Sequence, residues 1–302
     1  MSGGVISRLR GVLEEPDLEG TKYEAVRELD RGGMGVVWLV RDRELEREVA
    51  MKVVSVESAS LLAPRMRQEA RILARLEHPG IVPVHDVGVL PDGRLFYVMK
   101  YVRGERLDRF APGASRGELL RIFMRICEAV SFAHAHGIIH RDLKPQNVMI
   151  GPFGETLVLD WGVAKQSGEA DAARVDTPGT GHGVAIGTPG FMPPEQQQGA
   201  EVDARSDVFA LGAVLRFLVE SGSAPLRSII ARATAAEPQD RYPTVIELAG
   251  DVGRFLDQEP VLAHREGLGE RLLRWGSRYR VPLTLIAAYL LMRVAVFFWI
   301  RR

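Results

Sequence analysis

The spacing of apolar residues changes character partway along the chain. From Lys22 the apolar runs are short, rich in β-branched and aromatic residues, and bounded by glycines or charges. Residues 23–29, 36–40 and 48–54 read as three strands. Residues 64–76 follow as a helix, with Met66, Ile72, Leu73 and Leu76 near helical spacing. Residues 82–89 and 94–102 read as two more strands, joined by the turn Pro91-Asp92-Gly93. Helices dominate thereafter. Residues 115–136 place Leu119, Ile122, Phe123, Ile126, Val130 and Ala133 on one face. A loop with short strands is expected over 137–163, and a long Gly-, Thr-, Pro- and Asp-rich loop over 165–194. Helices return over 207–220, 226–235 and 244–256. No internal repeat is visible. A strand-rich small half thus precedes a helix-rich large half, an α+β arrangement in two lobes.

Residues 1–21 read as a flexible leader without a motif, and lack the apolar centre of a signal peptide. Hydrophobic residues make up 46% and charged residues 26% of the chain, an ordinary globular balance. Basic and acidic residues number 39 each, which argues against a dedicated nucleic-acid binder. Cys127 is the only cysteine, so no intramolecular disulfide forms and a reducing compartment is expected.

The motifs sharpen this picture. Gly32, Gly33 and Gly35 lie between two strand-like runs, where glycine lets backbone approach a phosphate; a plain hairpin turn is the competing reading. No helix opens after the last glycine, so this is not a dinucleotide fingerprint. Lys52 sits inside an apolar strand and must send its ammonium to a partner or to water. Glu69 on the following helix is a candidate partner, against the alternative of a surface pair within its own helix. The run His140-Arg141-Asp142-Leu143-Lys144-Pro145-Gln146-Asn147 is far more specific. It packs an acid that can accept a hydroxyl proton, a cation that can neutralise phosphate charge and an amide that can bind metal into one loop. Asp160-Trp161-Gly162 follows an apolar strand, and Asp160 is either a metal ligand or a turn former.

Taken in order, these motifs resemble the bacterial, eukaryotic-like (Hanks-type) serine/threonine protein kinases over about residues 22–257. The resemblance implies a small lobe over about 22–102 and a large lobe over 103–257. It implies ATP and Mg²⁺ as cofactors and Ser/Thr hydroxyls of proteins as acceptors. Gly32, Gly33, Gly35 and Val37 would cover the nucleotide, and Ala50 and Met149 would sandwich adenine. Met99 would be the gatekeeper, with Tyr101 and Val102 in the hinge. Lys52 would hold phosphates and pair with Glu69. Asp142 would receive or orient the acceptor hydroxyl, Lys144 would steady the transferred group, and Asn147 and Asp160 would bind Mg²⁺. Thr188 would support Asp142 and Lys144, Glu195 would pair with Arg241, and Asp207 would brace the catalytic loop. Arg141 implies a switch by phosphorylation of the long loop, with Thr177 and Thr180 as acceptors and self-association as a route to autophosphorylation.

The sequence also departs from the family pattern. Asp30 stands where the first phosphate-loop glycine is usual, Trp161 replaces Phe, and Pro193 replaces Ala. Only residues 221–225 separate two helices where family members usually carry an extra helix. Asp30 and this deletion keep a pseudokinase, a tethered ATP- or partner-binding module, as the alternative. A small-molecule phosphotransferase is a third reading, opposed by Thr188 and Pro193-Pro194-Glu195.

The end of the chain differs in kind. Residues 258–280 read as a basic linker and 281–300 as an apolar stretch interrupted by Arg293. Its Leu, Ile, Val and Phe side chains favour insertion by roughly 5 kcal/mol, against about 2.5–3.5 kcal/mol for the arginine. A single transmembrane helix is therefore expected; a buried or partner-binding helix is the alternative. Arg271, Arg274, Arg278 and Arg280 outnumber Arg301 and Arg302, which places the kinase domain on the cytoplasmic side of a cell membrane. No external domain is expected beyond the span.

Overall fold

A computed structural model describes residues 15–32, 35–54, 59–161, 165–166, 190–219, 222–265, 267 and 280–300. Gly33, Gly162, Thr177, Thr180 and Thr188 lie outside the described residues.

The small lobe is a five-stranded antiparallel sheet in the order β1-β2-β3-β5-β4. Its strands are β1 (Tyr23–Gly32), β2 (Gly35–Asp42), β3 (Arg47–Val54), β4 (Val84–Val89) and β5 (Leu95–Lys100). Strand alternation gives each face its own set of side chains. Val36, Trp38, Val40, Val49, Met51, Val53, Phe96 and Val98 belong to one buried cluster on the outer face. Val54, Leu95 and Tyr97, at the alternate positions, join the main core instead. Lys52 and Ala50 share that alternate, inner face. Gly35 permits close packing of β2 on β3: at φ 151° it sits where a Cβ would run into the Val53 carbonyl oxygen.

Helix α1 (Ala59–Arg75) begins five residues before the proline that sequence spacing marks as its start. Ala59, Leu61, Leu62 and Ala63 are good helix formers and carry the helix ahead of Pro64. Met66, Ala70, Leu73 and Leu76 bury against the core.

The large lobe follows with β6 (Glu105–Arg106), α2 (Leu107–Phe110) and α3 (Arg116–Ala135). Ser115 caps α3, its hydroxyl accepting from the Glu118 amide at 3.3 Å. Leu119, Ile122, Phe123, Ile126, Val130 and Ala133 form the buried stripe of α3. The short strands β7 (Ile138–Ile139), β8 (Val148–Ile150), β9 (Thr156–Val158) and β10 (Lys165–Gln166) carry the loops beside it. Helices α4 (Pro194–Gln197), α5 (Ala204–Leu218), α6 (Ala224–Ala233) and α7 (Val245–Leu256) complete the lobe. Only a short connection joins α5 to α6. One apolar core runs from Met66 and Tyr97 in the small lobe to Leu211 and Leu248 in the large one. The Val158 amide donates to the Gly80 carbonyl at 2.8 Å, tying the lobes together behind that core.

Both flanking segments are held more firmly than their composition suggests. Arg94 donates to the Glu15 carbonyl at 2.7 Å, and Leu18 packs on the outer-face cluster. The leader is therefore docked from Glu15. After α7, the Asp251 carboxylate accepts from Tyr242 Oη at 2.8 Å and from the Leu262 and Ala263 amides at 2.8 and 2.9 Å. The first residues of the supposed linker are thereby fastened to the large lobe. Helix α8 (Arg280–Ile300) exposes Leu285, Leu291, Phe297 and Trp299. Among the described residues no helix is long and apolar enough to cross a membrane, so the span expected over 281–300 is not shown.

Asp251 is 1% exposed. Replacing it with alanine strands the buried Tyr242 hydroxyl and two part-buried amides, at about 1–3 kcal/mol for each one left unsatisfied. The Asp251→Ala protein should unfold at lower urea concentration, with the loss measured by equilibrium denaturation at about 3 kcal/mol or more.

Candidate active site

Register brings the first group together. Lys52 on β3 lies opposite Val37 on β2 and Tyr97 on β5. Ala50 lies opposite Met99. Lys52 Nζ donates to Glu69 Oε1 and Oε2 at 2.9 and 3.0 Å, and to Asp160 Oδ1 at 3.3 Å. One ammonium thus links a strand, a helix and the far lobe. Burial disfavours the charged amine, but Tyr97, Glu69 and Asp160 outweigh it and hold Lys52 well above an ordinary lysine. Burial would likewise raise Asp160. Lys52, then His140 and Lys144, hold its carboxyl below the ordinary range instead.

The catalytic-loop run sits between β7 and β8. Lys144 Nζ donates to Asp142 Oδ2 at 2.7 Å. Asn147 Nδ2 donates to the Asp142 carbonyl and to Oδ2 at 2.8 and 3.1 Å. Asp160 and Arg141 both adopt left-handed backbone, at φ 61° and 71°. Such residues persist only where their surroundings hold them, at about 1–3 kcal/mol each. Asp207, fully buried at the start of α5, holds Arg141: its carboxylate accepts from the His140 and Arg141 amides at 2.8 and 2.9 Å. His134 Nε2 donates to the same carboxylate at 2.7 Å. Burial would raise Asp207, but His134 and His140 keep it below an ordinary aspartate.

His140 serves the loop from inside. Its Nδ1 accepts from the Asp142 amide at 3.3 Å, so Nε2 donates to the Leu159 carbonyl at 3.1 Å. Trp161 packs against it, ring centroids 4.5 Å apart and planes inclined at 51°, and is fully buried. The large indole therefore sits in the main core without opening the site. Asp30 is exposed, and its carboxylate accepts from its neighbour's amide at 2.9 Å.

Glu195 and Arg241 form a two-pronged pair, both distances 2.7 Å. Ser206 adds a hydroxyl donor to Glu195 at 2.7 Å, and Arg241 also donates to the Ala235, Ala236 and Arg205 carbonyls. Burial opposes the Glu195 charge, but Arg241 and Ser206 hold its carboxyl below the ordinary range. Tyr101 and Val102 are half-buried after β5, and Tyr101 Oη accepts from Arg27 at 3.5 Å. Met149 is half-buried on β8. Gly32 ends β1 opposite Gly35.

Sequence reasoning missed four contributors. Tyr97 donates to Glu69 Oε1 at 2.9 Å. Gln196 Nε2 donates to the Arg141 carbonyl at 2.9 Å, so the strained residue before Asp142 is held at both ends. His134 and Ser206 are the others. Only Tyr97 had a visible signal, since it lies an even number of residues from Met99 on the same strand and must share its face.

Asn147 spends its amide nitrogen on Asp142, which leaves its oxygen, the atom that ligates metal, for another partner. Asp160 is open to the cleft. Among the described residues no group of three or more His, Cys, Asp or Glu side chains converges as a metal site. These two residues suit Mg²⁺, which keeps waters and phosphate oxygens as further ligands.

The protein kinase domain family matches residues 23–248, and the chain belongs to it. It is 33% identical over 298 residues to serine/threonine-protein kinase PknD of Chlamydia pneumoniae, covering 79% of this chain and 31% of that protein. It is 35% identical over 226 residues to the PknD of Chlamydia muridarum, covering 64% of this chain and 24% of that protein. The chain therefore spans about a third or less of the length of the curated relatives it matches.

The depressed Glu195 carboxyl fixes the sign of a pH effect. Its pairing stabilises the fold above the ordinary glutamate range and is lost as pH falls through the lower folded value. Stability measured by thermal melts from pH 7 to pH 3 should fall more steeply in wild type than in Glu195→Gln. At pH 7 the Arg241→Met protein should be about 3–5 kcal/mol less stable than wild type.

Proposed function

We propose that this chain is an ATP-dependent serine/threonine protein kinase that moves the γ-phosphoryl group of ATP to protein hydroxyls. The observation that carries this reading is the assembly of Lys52, Glu69 and Asp160 within one ion-paired group, beside an Asp142 held by Lys144 and Asn147. Phosphoryl transfer demands positioning and charge neutralisation more than covalent help. Lys52 supplies a fixed cation at the cleft. Asp142 receives or orients the acceptor hydroxyl proton, and Lys144, two residues on, offsets charge on the transferred group. Asn147 and Asp160 would hold Mg²⁺, which neutralises phosphate oxygens when bound. Ala50, Met99 and Met149 would flank the adenine, with Tyr101 and Val102 in the hinge and Gly32, Gly33, Gly35 and Val37 over the phosphates. The exposed position of Asp30 removes one argument for a pseudokinase.

Two finer features belong to the same reading. Arg141 would receive phosphate on Thr177 or Thr180, added by a second copy of the chain, and Thr188 would support Asp142 and Lys144. Attachment to a membrane through α8, with the kinase domain in the cytoplasm, is supported by the apolar side chains that helix exposes and the arginines ahead of it.

Incubation with γ-labelled ATP, Mg²⁺ and a generic basic protein should label wild type and substrate. Asp142→Asn should lose at least about 100-fold of that rate, the scale of general acid–base help. Phosphate mapping should find Thr177 or Thr180 modified; no label with wild type refutes kinase activity. In cell fractionation the full chain should sediment with membranes and be released by detergent, not by salt. A wholly soluble chain refutes the anchor.

A further inference from the structure

Glu69 is held by two neighbouring strands at once. Lys52 on β3 and Tyr97 on β5 face each other in register, so both side chains leave the sheet on its inner face. The Lys52 ammonium reaches both carboxylate oxygens, and the Tyr97 hydroxyl reaches Oε1 at 2.9 Å. Lys52 Nζ also lies 5.7 Å from the centroid of the Tyr97 ring. Tyr97 is 2% exposed and Glu69 1% exposed. The phenol keeps its proton, because burial raises it and Glu69 adds to the shift even against the Lys52 charge.

These facts separate two kinds of contact. A lone ion pair between a strand and a helix can open here, since Lys52 keeps Asp160 as a second partner and the Glu69 carboxylate finds water once the helix swings out. The Tyr97 hydroxyl cannot follow. It is fixed in the wall of the main core, and the departure of Glu69 would leave it buried without an acceptor. Opening therefore carries a penalty that the ion pair alone does not impose.

We infer that Tyr97 is a positioning residue that latches α1 inward, so that the Lys52–Glu69 pair stands assembled before nucleotide binds and without modification of the 165–194 segment. Its consequence for catalysis rests on the kinase reading; the latch itself does not. A phosphate arriving near Arg141 would then act on the catalytic loop and the substrate segment, not on the seating of α1.

Tyr97→Phe removes one oxygen and keeps the ring. Hydrogen exchange followed by mass spectrometry on the nucleotide-free full chain should show α1 amides from Met66 to Arg75 exchanging about 5–10-fold faster in the variant, the population change expected when one buried hydrogen bond is lost. Exchange in β3 and β5 should stay within twofold of wild type. In a Glu69→Ala background, where both the ion pair and the acceptor of the Tyr97 hydroxyl are gone, Tyr97→Phe should add little to α1 exchange. Steady-state assays should show kcat/KM for ATP falling about 3–10-fold with KM for the protein substrate unchanged. Unchanged α1 exchange in Tyr97→Phe overturns the latch, and so does a rise spread evenly through the small lobe. A wild-type chain that transfers no phosphate defeats the kinase reading, while the exchange comparison still decides the latch.

Discussion

The structure depends on where a buried ammonium can go. Lys52 is embedded in a strand whose neighbours Met51 and Val53 are both buried. An unpaired charge there would cost several kcal/mol, so the surroundings are built to receive it. Glu69 brings α1 against the sheet, and Asp160 brings the large lobe to the small one. The seating of a helix and the meeting of two lobes are thus consequences of one residue's need for counter-charge. Each partner would be costly alone and is stable because the others are present.

The large lobe repeats this logic with carboxylates. Asp207 is buried and satisfied by two backbone amides and a histidine. It fixes a backbone turn that would otherwise relax, and the turn aims Asp142. Glu195 satisfies Arg241 and, through Gln196 beside it, touches the same turn from the opposite side. Buried polar groups carry the precision of the site, and the apolar core, continuous between the lobes, supplies its rigidity.

Much of this was legible in residue order. Alternating strands, the amphipathic stripe of α3 and the charged loop from His140 to Asn147 each state their structure locally, because strand and helix periods and turn chemistry are short-range properties. The partners of Lys52 were legible as candidates. Contacts made by side chains distant in sequence were not. Tyr97 looks like a strand aromatic until its register with Lys52 is known. Gln196 looks like a surface glutamine until α4 is laid beside the catalytic loop. Asp251 was missed because its partners are backbone amides, which no side-chain pattern announces. The start of α1 was misplaced for a different reason. Proline is favoured in a first helical turn, and the good helix formers before it outweighed that signal.

The two-residue alternation of β3 and β5 also bears on how such a chain can vary. Ala50, Lys52 and Val54 face inward only because each is separated from the next by one residue. Gain or loss of a single residue inside β3 would turn Lys52 into the apolar outer layer and present a valine or methionine to the cleft. The turn between β2 and β3, with exposed Leu45 and Glu46, carries no such constraint. Changes of length over generations should therefore collect at turns and spare strand interiors, leaving sheet dimensions more uniform among relatives than the amino acids that fill them.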